Sequence, residues 1–195
     1  MGIETDVRNL ATDAGREVGT SGHDDARGYI LDRLHDMGIA PYLPGGFEAS
    51  YSSDDQEFCN LLGVLPGEDP YLPPVLLGAH YDAVEGTPGA DDNAAAVAVL
   101  LEVAEILGQE RLPRSVLLAF YDAEEPPNFL SPSMGSIRCF EDQLLGPVHA
   151  AVIMDLVGHD VPIPGLGDLL FVVGLESNEG LGEVIQSCPV DPEIR

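Results

Sequence analysis

The sequence predicts an α/β protein whose sheet is largely parallel and covered by helices on both faces. Short, continuously apolar stretches indicate buried strands, for example PVLLGAH at residues 74–80 and SVLLAFY at residues 115–121. Between them lies DNAAAVAVLLEVAEILG, residues 92–108, a helical pattern that is apolar on nearly every side. Continuous apolar strands are typical of parallel sheets, and a helix without a polar face must itself be covered. Their alternation therefore indicates a layered α/β domain.

The first part of the chain predicts two helices. Apolar residues recur at helical spacing from Ile3 to Val18, which indicates an amphipathic helix. A second helix is expected to begin near Ser21, a favoured N-cap residue, and to end at Gly38. Its buried face would consist of Ala26, Ile30, Leu34 and Met37. The turn-rich stretch at residues 41–50 then predicts a connector.

The remaining elements continue the alternation. Strands are expected within residues 57–67, 149–158 and 168–174, and helices within residues 134–146 and 178–188. The sequence contains no internal repeat, linker or low-complexity tract. A single domain over residues 1–195 is therefore the simplest interpretation.

Composition and charge exclude several classes of function. The chain has 34 acidic and eight basic residues, a formal net charge of −26, so it should repel nucleic acid and anionic membranes. The acidic excess fits salt adaptation and an arginine-biased source equally well. Three cysteines without a Cys-x-x-Cys pattern favour reduced thiols, and no signal peptide or membrane-spanning run is recognisable. We therefore expect a cytoplasmic protein that binds neither nucleic acid nor membrane.

Acidic residues and one histidine follow three of the predicted strands. Ligands bind beyond the carboxyl ends of strands in open α/β sheets, so these side chains should share one rim. They are His80 and Asp82 after the first strand, Asp122, Glu124 and Glu125 after the second, and Asp155 after the third, with Asp91 and Asp92 in the loop before the apolar helix. Taken singly, such residues are more often helix caps or solvated loop residues. Carboxylates crowded together repel one another, however, and a divalent cation such as zinc removes the conflict.

The ordered motifs GAHYDAV, PGADDNAAAVAVLLEVA, FYDAEE, Gly135–Ser136 and MDLVG resemble those of the di-zinc, co-catalytic aminopeptidase family. Its relatives include leucyl aminopeptidases, glutamate carboxypeptidase, the transferrin receptor ectodomain and the glutaminyl cyclases. The resemblance covers residues from about Asn60 to Gly158 and implies a mostly parallel mixed sheet sandwiched by helices. It also implies a peptide substrate and two zinc ions.

Carried over residue by residue, the resemblance implies a set of metal ligands. His80 and Asp155 would bind one zinc ion, Glu125 would bind the other, and Asp92 would bridge the two. The peptide bond between Asp92 and Asn93 is cis in the family.

The resemblance also implies two catalytic roles. Asp82 would orient the His80 imidazole, as carboxylates behind metal-binding histidines do. Glu124 would be the general base, taking a proton from the attacking water and passing it to the leaving amine.

One feature of the family pattern is missing. The family has a fifth ligand, a histidine well downstream of the Asp155 motif, whereas His159 lies too early in the chain and His149 lies at the wrong end of its strand. We therefore expect that the C-terminal part of the family domain is absent. The loop between Glu125 and Gly135 is also longer than usual, and it could shape the substrate pocket or be a tolerated insertion.

These observations predict a zinc-dependent exopeptidase of aminopeptidase type. One alternative is a glutaminyl cyclase-like acyltransferase, which would use a single zinc ion on the same scaffold. Another is a non-catalytic or inactive truncated scaffold. Retention of His80 and Asp155 favours two metals, and retention of Glu124 favours catalysis.

Overall fold

A mixed sheet organises the first of two units, Met1–Gly158, in a computed structural model that describes residues 2–158 and 180–187. Its order is β1-β3-β5-β4-β6, and β2 pairs with β3 beside this path. The six strands are β1 Ala40–Pro41, β2 Glu48–Ser53, β3 Gln56–Leu65, β4 Val75–His80, β5 Val116–Tyr121 and β6 Ala150–Ile153. The α/β class with a mixed sheet is as predicted.

Strand direction divides the sheet into two parts. β4 pairs in parallel with β5 and with β6, so the residues that follow these three strands emerge at one edge. β3 is antiparallel to β1, β2 and β5, which makes the antiparallel share larger than the continuous apolar strands indicated. The extra share comes from β1 and β2, which flank and partly occupy the predicted connector, and from the antiparallel pairing of β3 with β5.

Helices cover both faces of the sheet. In the first unit they are α1 Ile3–Leu10, α2 Ser21–Asp36, α3 Ala96–Leu107 and α4 Gly135–Glu141. On one face, α2 and α3 pack onto alternate residues of the central strands, such as Leu61 and Leu118. On the other, Cys139 of α4 packs with the neighbouring residues Leu62 and Leu117. Successive side chains of a strand point to opposite faces, so each strand supplies both cores.

The N-terminal helices differ from the prediction at one boundary. α1 ends at Leu10 and does not continue to Val18, and Gly15 adopts a left-handed φ of 67° that interrupts any helix. α2 begins at Ser21 as expected, although the preceding residue, Thr20, is the N-cap. Gly38, with φ of 68°, follows the end of α2. Ala26, Ile30 and Leu34 are buried, and Met37 is half-buried.

The second unit, His159–Arg195, is described only from Gly180 to the end of helix α5, Leu181–Ser187. This helix lies within the predicted closing helix. The strand predicted at residues 168–174 lies outside the described residues, as does His159. In the described parts of the chain, no helix combines the length and apolarity needed to cross a bilayer.

Candidate metal centre

Side chains from four segments converge on the imidazole of His80, the last residue of β4. Its Nε2 lies 3.1 Å from Oδ1 of Asp92, 3.6 Å from Oδ1 of Asp155 and 3.7 Å from Oε2 of Glu124. Asp155 follows β6, Glu124 follows β5, and Asp92 lies in the turn before α3. The parallel strands thus bring residues that are far apart in sequence to one edge of the sheet, as predicted.

Two overlapping groups at this edge have the geometry of a metal site. One consists of His80, Asp92 and Asp155, and the other of His80, Glu124 and Glu125. Within each group, the potential ligand atoms lie within 4.8 Å of one another. Imidazole nitrogen together with carboxylate oxygen is a donor set that suits zinc. The first group contains the residues that the resemblance assigns to one ion.

The Nε2 atom of His80 is the clearest sign that a cation belongs here. The residue is only 4% exposed, yet Nε2 has no partner in hydrogen-bonding geometry among the described residues. Buried polar atoms are normally hydrogen-bonded. A buried Nε2 that faces three carboxylates without a hydrogen bond is explained if a positive ion completes the arrangement.

Asp82 fixes the imidazole from behind. Its Oδ1 lies 3.3 Å from Nδ1 of His80, so a proton on Nδ1 leaves the Nε2 lone pair available for a metal. The same carboxylate accepts hydrogen bonds from the backbone N–H groups of Glu124, at 3.1 Å, and Glu125, at 2.9 Å. One buried aspartate therefore sets the relative position of β4 and of the loop that carries both glutamates.

The electrostatics of the cluster show a shortage of positive charge. Burial lowers the pKa of His80, but the carboxylates of Asp155, Asp82 and Asp92 outweigh burial and raise it to about 12. Burial, and next Asp92, raise the pKa of Glu125 to about 7. Protons thus supply part of the charge that a divalent cation would provide.

The remaining two carboxyl groups shift in opposite directions. Burial raises the pKa of Glu124, although His80 opposes the shift. The close approach of His80 lowers the pKa of Asp155. Glu124 is therefore the better proton acceptor of the two, and Asp155 keeps its negative charge more readily.

The turn that presents Asp92 is tightly packed. Residues Ala90–Ala95 form a kinked turn in which Asp92 and Asn93 have non-helical backbone angles, and the peptide bond between these two residues is cis. Gly89 precedes the turn with φ of 59°, and a Cβ there would lie 2.4 Å from the Asp92 carbonyl oxygen. Only glycine fits at this position without displacing the backbone of Asp92.

Arg16 lies beneath the centre and was not recognised from the sequence. It is fully buried and donates hydrogen bonds to the carbonyl oxygens of Tyr81, Pro88 and Gly89, at 2.7, 2.7 and 2.9 Å, and of Leu10, at 3.1 Å. Burial lowers its pKa to about 10, and the nearby acids of the centre oppose that shift. The available signal, one arginine in a turn-rich stretch, does not distinguish it from a surface residue.

Asp122 has a different place from the other acids. Its carboxylate is buried, lies 2.8 Å from Nε2 of His23 and accepts a hydrogen bond from the backbone N–H of Cys59 at 2.7 Å. The His23 ring stacks on Tyr81, with centroids 5.0 Å apart. Asp122 thus joins α2 to the sheet. His23 is a second buried polar residue that the sequence analysis missed.

A cavity of about 260 Å³ opens beside the metal centre. Its walls combine His80, Glu124 and Asp155 with mostly apolar residues, namely Tyr121, Met134, Ile153 and Met154, together with Ser136. Met134 ends the long loop after Glu125, so that loop contributes to the cavity wall.

Comparison with known proteins gives a family match. The sequence profile of peptidase family M28 matches residues 60–187. The uncharacterized protein YfbL of Escherichia coli (strain K12) is 40% identical over 101 residues, which cover 48% of this chain and 31% of YfbL. The chain therefore spans less than a third of this curated relative.

Solved structures share the fold. Porphyromonas gingivalis glutaminyl cyclase aligns with a TM-score of 0.67 and 25% identity, covering 80% of this chain and 59% of that one. A Zn-dependent exopeptidase from Parabacteroides distasonis ATCC 8503 aligns with a TM-score of 0.63 and 24% identity, covering 80% and 61%.

Proposed function

The chain is a member of peptidase family M28, and on that premise we propose that it is a zinc-dependent exopeptidase of aminopeptidase type. It removes N-terminal residues from peptides. The observation that carries the proposal is the buried Nε2 of His80, which has no hydrogen-bond partner among the described residues and faces Asp92, Asp155 and Glu124 within 3.1–3.7 Å.

The residues present fit one zinc ion and provide part of the ligand set for a second. His80, Asp92 and Asp155 would hold the first ion, and Asp92 and Glu125 would contribute to the second. Bound zinc supplies Lewis acidity, which polarises the scissile carbonyl and brings the pKa of water to roughly 7. Asp82 keeps the Nδ1 proton of His80 in place and so maintains Nε2 as a ligand.

Glu124 moves the protons of the reaction. Its side chain is 20% exposed, which leaves it accessible from the cavity, and burial raises its pKa. A carboxylate with a raised pKa is a stronger base near neutral pH. It accepts the proton of the attacking water and donates that proton to the leaving amine.

The apolar walls of the neighbouring cavity favour an apolar side chain at the cleaved end of the peptide. Tyr121, Met134, Ile153 and Met154 line it. Burying an apolar side chain against them contributes binding energy beside the reacting carbonyl. Leucine or methionine anilides are therefore the first substrates to test.

The Glu124→Gln variant tests this function. We expect hydrolysis of a chromogenic leucine anilide to fall by on the order of 10²–10⁴-fold, since a positioned general base contributes about that much. Zinc content, measured by atomic emission, should be unchanged. Glu85→Gln, at an exposed glutamate outside the centre, is the matched control and should keep full activity.

Two results would refute the proposal. One is a wild-type protein that binds added zinc and yet hydrolyses no amino-acid anilide. The other is a Glu124→Gln variant as active as wild type, which would exclude Glu124 as the base. Chelator treatment should abolish the activity, and added zinc should restore it.

A glutaminyl cyclase activity is the second candidate, because a glutaminyl cyclase is among the similar structures. Cyclisation of an N-terminal glutamine releases ammonia, whereas aminopeptidase action releases an amino acid. A coupled ammonia assay on a glutamine-initiated peptide separates the two activities. The grouping of His80 with Asp92 and Asp155 supports the first candidate, because it provides a site for another zinc ion.

A further inference from the structure

The two residues that flank Asp92 both bind the segment that carries Asp155. Oδ1 of Asp91 accepts a hydrogen bond from the backbone N–H of Gly158 at 2.8 Å. Nδ2 of Asn93 donates a hydrogen bond to the carbonyl oxygen of Met154 at 3.1 Å. The segment Met154–Gly158 is thus held at both ends by the turn that presents Asp92.

The contact between turn and segment is close as well as hydrogen-bonded. A Cβ on Gly158 would lie 2.5 Å from Cβ of Ala95 and 3.2 Å from Oδ1 of Asp91. A side chain at position 158 would therefore push the segment away from the turn. Asn93 is fully buried beneath the same contact.

Apolar packing holds this segment through two partly buried side chains, Met154 and Val157, which lie against the core. The strand before it, β6, is exposed along its length, with Val152 49% and Ile153 56% exposed. Beyond β6, the backbone N–H of Met154 still reaches the carbonyl oxygen of Gly78 at 2.9 Å. The hydrogen bonds from Asp91 and Asn93 are the described polar contacts that, together with the packing of Met154 and Val157, fix where Asp155 lies.

We propose that Asp91 and Asn93 are positioning residues that hold Asp155 at the right distance from Asp92 and His80. They do not touch the metal themselves. They align two carboxylates from separate segments so that both face Nε2 of His80. The inference rests on the proposed zinc site, because its purpose is to preorganise the ligands of that ion.

Two substitutions of Asp91 can distinguish a positioning role from an effect of its negative charge. Asp91→Asn keeps an oxygen that can accept the Gly158 N–H and removes the negative charge, whereas Asp91→Ala removes both. A positioning role predicts that only alanine impairs the site. A purely electrostatic role predicts that both substitutions do so equally. The side chain is half-buried, so neither variant is expected to unfold the protein.

Zinc affinity of the full chain, measured by competition with a chromogenic chelator, is the first readout. Removing a residue that orients a metal ligand typically weakens binding by 10–100-fold, and we expect about ten-fold for Asp91→Ala. Asp91→Asn should remain close to wild type. Asp69→Ala is the matched control, because Asp69 also accepts a backbone N–H bond, from Tyr71 at 2.9 Å, but in a different loop.

Hydrogen exchange in the metal-free protein is the second readout. The Gly158 amide should exchange faster in Asp91→Ala than in wild type, and at the wild-type rate in Asp91→Asn. Unchanged exchange and zinc affinity in Asp91→Ala would overturn the inference, as would equal losses of affinity in both variants.

The same experiment distinguishes this inference from the proposed function. A protein that binds zinc, responds to Asp91→Ala as expected and hydrolyses no anilide supports the inference and refutes the exopeptidase. A wild-type protein that binds no zinc refutes both the function and the metal-positioning role.

Discussion

Replacing Arg16 by methionine should destabilise the protein severely. Arg16 is fully buried and donates hydrogen bonds to four backbone carbonyl groups. Those carbonyls belong to α1, to the residue after β4 and to the loop before the turn that presents Asp92. Methionine has a similar length but no donor, so the carbonyls of Tyr81 and Pro88 lose their described donor. Those of Leu10 and Gly89 still accept from the backbone N–H groups of Thr12 and Ala94.

The expected loss follows from the cost of unpaired buried polar groups. Each buried acceptor that loses its donor costs roughly 1–3 kcal/mol. The sum of these costs over the unpaired carbonyls is an upper bound, because the hydrogen bond to Pro88 is only partly buried and water can replace it. We therefore expect a loss of about 2–5 kcal/mol, most of it from the unpaired carbonyls of Tyr81 and Pro88. A loss of that size is a large part of the stability of an ordinary domain, about 5–15 kcal/mol.

Urea unfolding of the metal-free protein, followed by circular dichroism, measures this loss. Arg8→Met is the control, because Arg8 lies on α1 with its side chain 76% exposed and should hardly change the unfolding free energy. Arg16→Lys keeps the charge and only some of the bonds, so it should fall between. If Arg16→Met unfolds at the same urea concentration as Arg8→Met, the assignment of Arg16 as a structural support for the centre is wrong.

Three further outcomes are expected. The pKa of Glu125 is raised from 4.5 to about 7 in the folded protein, so its contribution to metal-free stability is complete below pH 4.5 and is lost as the pH rises to about 7. The melting temperature of the metal-free protein should therefore fall over that range. Glu125→Gln should make the melting temperature less dependent on pH. Zinc binding should release protons near neutral pH, because Glu125 and His80 must both deprotonate. Calorimetry in buffers of different ionisation enthalpy would detect the released protons. A binding heat that is the same in every buffer would argue against proton release. Gly135→Ala should lower the free energy of chemical unfolding by about 1–3 kcal/mol, since the new Cβ would lie 2.3 Å from Oδ1 of Asn60. Gly146→Ala is the control and should be neutral, because its Cβ would have no atom within 4 Å.

The ligand-bearing strands could be predicted because burial on two faces leaves a simple pattern. β4, β5 and β6 are short apolar runs that end in polar residues, and parallel strands necessarily end at one edge. That reasoning predicted that His80, Asp92, Glu124 and Asp155 lie at the same edge of the sheet. The division of roles among them came from the resemblance, since spacing alone does not distinguish a base from a ligand.

The parts that were missed depend on contacts between distant residues. β2 and β3 are joined at Asp54–Asp55, which have φ of 50° and 64°, and this aspartate pair gives a weaker turn signal than the usual Asn-Gly. Asp122 was grouped with the acids at the rim. The alternation of side chains directs it to the side of Phe120, where α2 supplies His23. No pattern in the local sequence indicates that Asp122 pairs with His23.

The N-terminal layer limits how far the protein can be shortened. Similarity to the family begins at residue 60, yet Arg16 and His23 contact Tyr81 and Asp122 from far upstream. A polypeptide cut at residue 60 would expose the apolar side of α3 and strip two buried partners from the floor of the centre. The minimal piece expected to fold with an intact centre therefore includes α1 and α2, and a fragment defined by sequence similarity alone should bind zinc poorly or aggregate.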